Sequence, residues 1–133
     1  MTDETLAPNT TIFLIDDDHF LLDMYSVKFQ KSGLHVDVAT GSSAALAKLR
    51  EGYVPDIMLL DIIMPTMDGI ELLEKIRAEK LAPTATVIML TNQADDEEKA
   101  RALGIDGFIV KAMTIPSEVV KMVLDLYKKH KNL

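Results

Sequence analysis

Ile12-Phe13-Leu14-Ile15 runs apolar and stops abruptly at Asp16-Asp17-Asp18. A run that short, closed by acid, reads as a fully buried strand rather than a helix. The same device recurs at Ile57-Met58-Leu59-Leu60, which ends at Asp61. Working outward from the first strand, apolar residues from His19 to about Ser32 fall at helical spacing (Leu22, Tyr25 and Phe29, with Leu21 and Val27 beside them), and Gly33 offers a stop. His35–Ala39 alternates like a strand, and Gly41-Ser42-Ser43 offers an N-cap for a short helix over Ala44–Glu51, with Leu46 and Leu49 inward. After the second acid-terminated strand, a loop with Pro65 leads to Asp68-Gly69 and a helix through Ile70, Leu73 and Ile76 to about Lys80. Pro83 breaks the chain, Thr86–Leu90 forms a strand ending at Thr91, and Ala94–Leu103 reads as a helix stopped by Gly104. Gly107–Val110 is a short strand ending at Lys111, and Pro116 at a first helical turn opens a last helix to about His130. Five strand–helix units in alternation predict an α/β domain, a parallel sheet covered on both faces.

The 133 residues suit one domain, and no linker or composition shift divides them. Residues 1–10, polar and non-periodic, read as a flexible tail, leaving 11–131 as the domain. The absence of cysteine excludes a disulfide framework, a thiolate zinc site and a cysteine nucleophile. A net charge of −7 argues against a binder of phosphate backbones, and the lack of Trp argues against a stacking platform for single strands. No apolar run approaches the roughly 20 residues of a membrane span, and no signal-like N-terminus is present. A cytoplasmic protein is expected, touching neither membrane nor nucleic acid directly.

Four strands end in polar residues: Asp16 with Asp17, Asp61, Thr91 and Lys111. Polar residues belong at strand ends in any case, as the chain leaves the core. In an open α/β sheet, however, ligands bind at the carboxyl ends of the strands, so all these side chains would emerge at one edge. Three carboxylates in one cleft repel one another and call for compensation. A hard divalent cation suits them, Mg²⁺ or Mn²⁺ in its place. Metal, ammonium, hydroxyl and carboxylate together fit stabilisation of a phosphoryl group in transfer, and an Asp carboxylate can itself be the nucleophile. His19, His35 and His130 are not placed as bases and read as surface residues.

The acidic pair after Ile12–Ile15, the stretch Leu60-Asp61-Ile62-Ile63-Met64-Pro65-Thr66-Met67-Asp68-Gly69, Thr91 and Lys111 resemble the receiver domain of two-component response regulators, of the chemotaxis-regulator kind. The resemblance runs from about Thr11 to the final helix. It implies a flavodoxin-like (βα)₅ three-layer sandwich with a parallel five-stranded sheet in the order 2-1-3-4-5. It further implies that Asp61 takes a phosphoryl group from a phosphohistidine on a sensor histidine kinase or a histidine phosphotransfer protein. Asp17, Asp61 and the backbone carbonyl of Ile63 would bind Mg²⁺ directly, and Asp16 through a metal-bound water. Thr91 and Phe108 would form the switch, with Thr91 donating to the phosphoryl group, and Lys111 would pair first with Asp61 and then with that group. Independent turnover of a substrate is not implied. The output would be a downstream protein or a domain outside this chain, and the state a monomer or a phosphorylation-dependent dimer.

The sequence departs from the family pattern at Ala112, where proline usually follows the lysine with a cis peptide. Without proline a cis bond costs about 2.5–4 kcal/mol, so a trans peptide and a reshaped, longer loop to Pro116 are expected. An apolar Ile63 near the acceptor predicts a phosphorylated state longer-lived than in chemotaxis-type receivers; Gln93 is the other position with that influence. The alternative is a receiver-fold interaction module that is never phosphorylated. A remoter one is a haloacid-dehalogenase-type phosphatase built on Asp16-x-Asp18, but that class wants Thr or Val where Phe20 stands. A calcium loop lacks its Gly and terminal Glu, and a flavodoxin-type carrier would meet acids where it needs a phosphate loop. Met24, Met58 and Met89 read as core fillers. Asp95-Asp96-Glu97-Glu98 reads as a helix start, and Lys128, Lys129 and Lys131 as a helix end.

Overall fold

A computed structural model describes residues 6–7 and 9–133. The strands are β1 (Thr11–Asp16), β2 (His35–Thr40), β3 (Ile57–Leu60), β4 (Thr86–Thr91) and β5 (Gly107–Val110). The helices are α1 (His19–Lys31), α2 (Ser42–Arg50), α3 (Gly69–Ala78), α4 (Glu97–Ala102) and α5 (Pro116–Lys131). The strands pair in parallel in the order β2-β1-β3-β4-β5, the expected flavodoxin-like arrangement. Part of the expected tail, residues 1–5 and 8, lies outside the described residues. Thr10, just before β1, is buried, and its hydroxyl donates to the Ala7 carbonyl at 2.8 Å.

Strand alternation sorts the core into two halves. Phe13 and Ile15, Met58 and Leu60, and Val87 and Met89 face α2, α3 and α4, meeting Leu46, Leu49, Leu72, Leu73, Ile76 and Ala100. Ile12 and Leu14, Ile57 and Leu59, and Ile88 and Leu90 face α1 and α5, meeting Leu22, Phe29, Val119, Val123 and Tyr127. The three central strands are buried on both faces, hence their unbroken apolar runs.

Helix starts differ from the sequence reading in two places. The start of α2 is Ser42, two residues early, because Gly41 occupies the cap at φ 101° and gives no side-chain bond; Ser42 itself is buried. The expected helix over Ala94–Leu103 splits into a 3-10 turn over Ala94–Asp96 and a short α4. Asp95 and Asp96 therefore sit ahead of the α-helix, while Glu97 and Glu98 hold its first turn. α1 is capped by Asp18, whose carboxylate accepts from the Phe20 and Leu21 N–H groups. Asp68 caps α3 in a reciprocal box with Glu71.

Candidate functional site at the carboxyl end of the sheet

The strand order reverses between β1 and β3, and the acids of these neighbours meet there. Asp16 is the last residue of β1, and Asp61 extends β3 by donating its N–H to the Ile15 carbonyl at 3.0 Å. The Asp61 Oδ1 accepts from the Ile62 and Ile63 N–H groups at 2.7 and 3.3 Å, which leaves Oδ2 for Lys111 Nζ at 2.9 Å. Asp16 is held likewise, Oδ1 on the Asp18 N–H at 3.0 Å and Oδ2 on Lys111 Nζ at 2.8 Å. Asp17 is exposed and joins them: one carboxylate oxygen from each of the three residues lies within 4.8 Å of the others. Ile63 and Asn92 complete the cleft with Lys111 and Asp18.

Three carboxylates face one ammonium, so the cleft holds uncompensated negative charge. This acidic cluster fits a metal site. Burial raises the Asp16 carboxyl above the ordinary carboxylate range, outweighing the hydrogen bonds from Lys111 and the Asp18 N–H. Burial also works against the charge of Lys111, but its bonds to Asp16 and Asp61 prevail and hold the ammonium above its usual value.

The loop after β3 folds back onto the site. Ile62 and Met64 are buried as anchors, while the Ile63 side chain stays 55% exposed at the lip of the cleft. Thr66 sits at φ 70°, and the Gly69 N–H returns to the Ile62 carbonyl at 2.7 Å. A Cβ on Gly69 would stand 2.1 Å from the Asp61 carbonyl oxygen, so only glycine lets α3 begin against the backbone of the acid.

Thr91 closes β4, fully buried, with its hydroxyl accepting from the Gln93 N–H at 3.2 Å. Val110 pairs with Thr91 across the ladder, so Lys111 leaves β5 beside it. Phe108 lies further back on β5, half-buried against the core on the α3 and α4 side rather than in the cleft. No cis peptide occurs among the described residues, so Lys111–Ala112 is trans. Asn92 is the residue that sequence reasoning missed: its Oδ1 accepts from the Ala112 N–H at 2.7 Å. Its position directly after a strand-ending hydroxyl was the available signal. His19 and His35 are exposed, and His130 lies against Thr86 and Asp106, near the opposite end of the sheet.

A family model described as the response regulator receiver domain matches residues 12–124. The alkaline phosphatase synthesis transcriptional regulatory protein PhoP of Bacillus subtilis is 33% identical over 123 residues, covering 87% of this chain and 49% of PhoP. The chain spans about half the length of several of the curated relatives it matches. A CheY-like response regulator receiver domain protein from Methanospirillum hungatei superposes with a TM-score of 0.83 at 28% identity, covering 93% of this chain and 98% of that one. The response regulator TrrA from Thermotoga maritima, solved in complex with Mg²⁺–BeF, gives a TM-score of 0.75 at 27% identity, covering 88% and 98%.

Proposed function

The chain belongs to the response regulator receiver domain family, and on that premise we propose that Asp61 accepts a phosphoryl group from a phosphohistidine. A carboxylate oxygen of Asp61 forms the new bond to phosphorus while the phosphorus–nitrogen bond breaks, and the imidazole leaves neutral after protonation. The observation that carries this reading is the Lys111 ammonium, 2.9 Å from Asp61 and 2.8 Å from Asp16 at the mouth of an acidic cleft. It is placed to neutralise the charge that accumulates as the donor oxygens approach. Thr91, at the end of the neighbouring strand, supplies a hydroxyl; turning it toward a phosphoryl oxygen releases the Gln93 N–H and biases the loop that follows. Phe108, half-buried behind Thr91 on β5, would change packing with it.

Asp17, Asp61 and the Ile63 carbonyl would hold Mg²⁺, with Asp16 acting through a bound water and Mn²⁺ able to substitute. When bound, the cation neutralises the carboxylates and the incoming phosphoryl oxygens. The protein then works as a cytoplasmic signalling switch that assists its own phosphorylation and dephosphorylation without turning over a separate substrate. Its donors are a sensor histidine kinase or a histidine phosphotransfer protein. Its output is a downstream protein or a domain outside this chain, engaged as a monomer or a phosphorylation-dependent dimer.

Incubation with phosphoramidate or acetyl phosphate and Mg²⁺, followed by intact-mass measurement, tests the reading. A phosphoryl mass gain in the wild type and none in Asp61→Ala is expected. No gain in the wild type, or an equal gain in the variant, would leave a receiver-fold interaction module.

A further inference from the structure

The side chain of Lys111 is long and rich in rotamers, so the place of its ammonium depends on how firmly its backbone is held. That backbone sits in a single 3-10 turn, Lys111–Met113, whose own N-cap residue, Val110, supplies no side-chain bond. The N–H groups at the start of such a turn need outside partners. The Ala112 N–H finds one in the Asn92 side chain, at 2.7 Å across 20 residues of sequence. Asn92 in turn follows Thr91, which is fixed in the sheet opposite Val110. The bond therefore links the residues immediately after Thr91 and Lys111, and Asn92 lines the same cleft as Asp16, Asp61 and Lys111. A proline at position 112, common in the family, could not make it, because proline has no N–H to donate.

We infer that Asn92 is a positioning residue for phosphoryl transfer, its amide oxygen holding the Lys111 turn so that the ammonium sits between Asp16 and Asp61. This rests on Asp61 being the phosphoacceptor. It also ties the two loops flanking the cleft, so a shift of the loop after Thr91 is passed to the turn that carries Lys111.

The test combines amide hydrogen exchange at Ala112 with the rate of phosphorylation by phosphoramidate and Mg²⁺, read by intact mass. Asn92→Ala is expected to speed Ala112 exchange and to slow phosphorylation by about tenfold, the scale of a small misplacement of a catalytic group. Asn92→Asp retains an acceptor oxygen and is expected to keep Ala112 protected. In a Lys111→Met background, Asn92→Ala is expected to change the rate by less than about twofold, since a residue acting through Lys111 has nothing left to position. Asn92→Leu, which keeps the branch at Cγ and removes the acceptor, repeats the measurement if the Ala variant folds poorly. A single-variant rate within about twofold of wild type, or a full further loss in the Lys111→Met background, would overturn the inference and leave the phosphoacceptor reading standing. A wild type that gains no phosphoryl mass would overturn both.

Discussion

At the amino end of the sheet, polar residues close on one another; at the carboxyl end they converge and stay open. At the start of β1, Thr11 donates its N–H at 2.8 Å to the carboxylate of Asp56, the residue before β3, and its hydroxyl accepts from the Asp56 N–H at 3.0 Å. At the start of β4, Thr86 bonds His130 Nδ1 at 2.5 Å, and Asp106 takes the Val87 N–H at 2.9 Å while standing 3.6 Å from His130 Nε2. Each of these groups finds its partner within the chain, and their return is stability. Asp16 and Asp61 instead share the ammonium of Lys111, with the Asp17 carboxylate beside them. Similar residue types thus serve two ends differently: satisfied pairs anchor elements, whereas an unbalanced acidic cluster fits a metal site.

The sharpest separation of the two ends comes from one substitution in each. Asp61→Asn should abolish phosphoryl uptake without lowering the melting temperature, because it removes one of three mutually repelling acids. Thr86→Val should leave uptake intact and cost roughly 0.5–1.5 kcal/mol, the worth of the hydrogen bond to His130 that a fully buried threonine loses. Intact mass after phosphoramidate treatment and thermal melts read both. A Thr86→Val protein that also loses uptake would break the contrast.

Cation binding should stabilise through one end alone. At about one hundred times its dissociation constant, Mg²⁺ is expected to add about 2.7 kcal/mol of apparent stability. The shift should vanish in Asp17→Asn and survive in Thr86→Val. Chelation with EDTA should reverse it. An equal shift in Asp17→Asn would mean the cation acts elsewhere.

Acid titration should move Asp16 and Asp37 in opposite directions. The Asp16 carboxyl is raised from 3.8, chiefly by burial, so its contribution is fully present below that value and is lost as pH rises through the raised one. The Asp37 carboxyl is lowered from 3.8, chiefly by the Tyr53 hydroxyl and with help from Lys48. Its contribution is present above 3.8 and lost as pH falls through the depressed value. Without divalent cation, Asp16→Asn is therefore expected to raise the melting temperature at neutral pH by a few degrees, and Asp37→Asn to lower it. Melts across the acid range check the signs, and parallel shifts in the two variants would defeat the contrast.

What the sequence disclosed follows the same division. β1 and β3 were legible because strands buried on both faces need unbroken apolar runs, and the acids ending those runs marked the cleft. Asp16, Asp17, Asp61, Ile63 and Lys111 line one cleft. The start of α2 was misread because Ser42-Ser43 has the composition of a cap, yet the fold puts Gly41 at the cap and turns Ser42 inward. The bonds from Asn92 to Ala112 and from Thr86 to His130 join residues 20 and 44 apart through side chains. No local period encodes such bonds; they exist once strand order has brought the segments together.

The smallest expected effect lies at the lip of the open end. Ile63 is 55% exposed and lines the cleft with Asp61, so an apolar group stands beside the proposed phosphoacceptor. Hydrolysis needs a water aligned with phosphorus, and a branched hydrocarbon offers it no hydrogen bond. Ile63→Asn supplies a donor and an acceptor at the same place. An exposed position of this kind changes stability by about 0.5 kcal/mol or less, so a kinetic change would not reflect unfolding. Loss of the phosphoryl group, followed by mass after removal of the donor, is expected to run several-fold faster in Ile63→Asn than in the wild type. An unchanged lifetime would mean that water reaches Asp61 by a route Ile63 does not border.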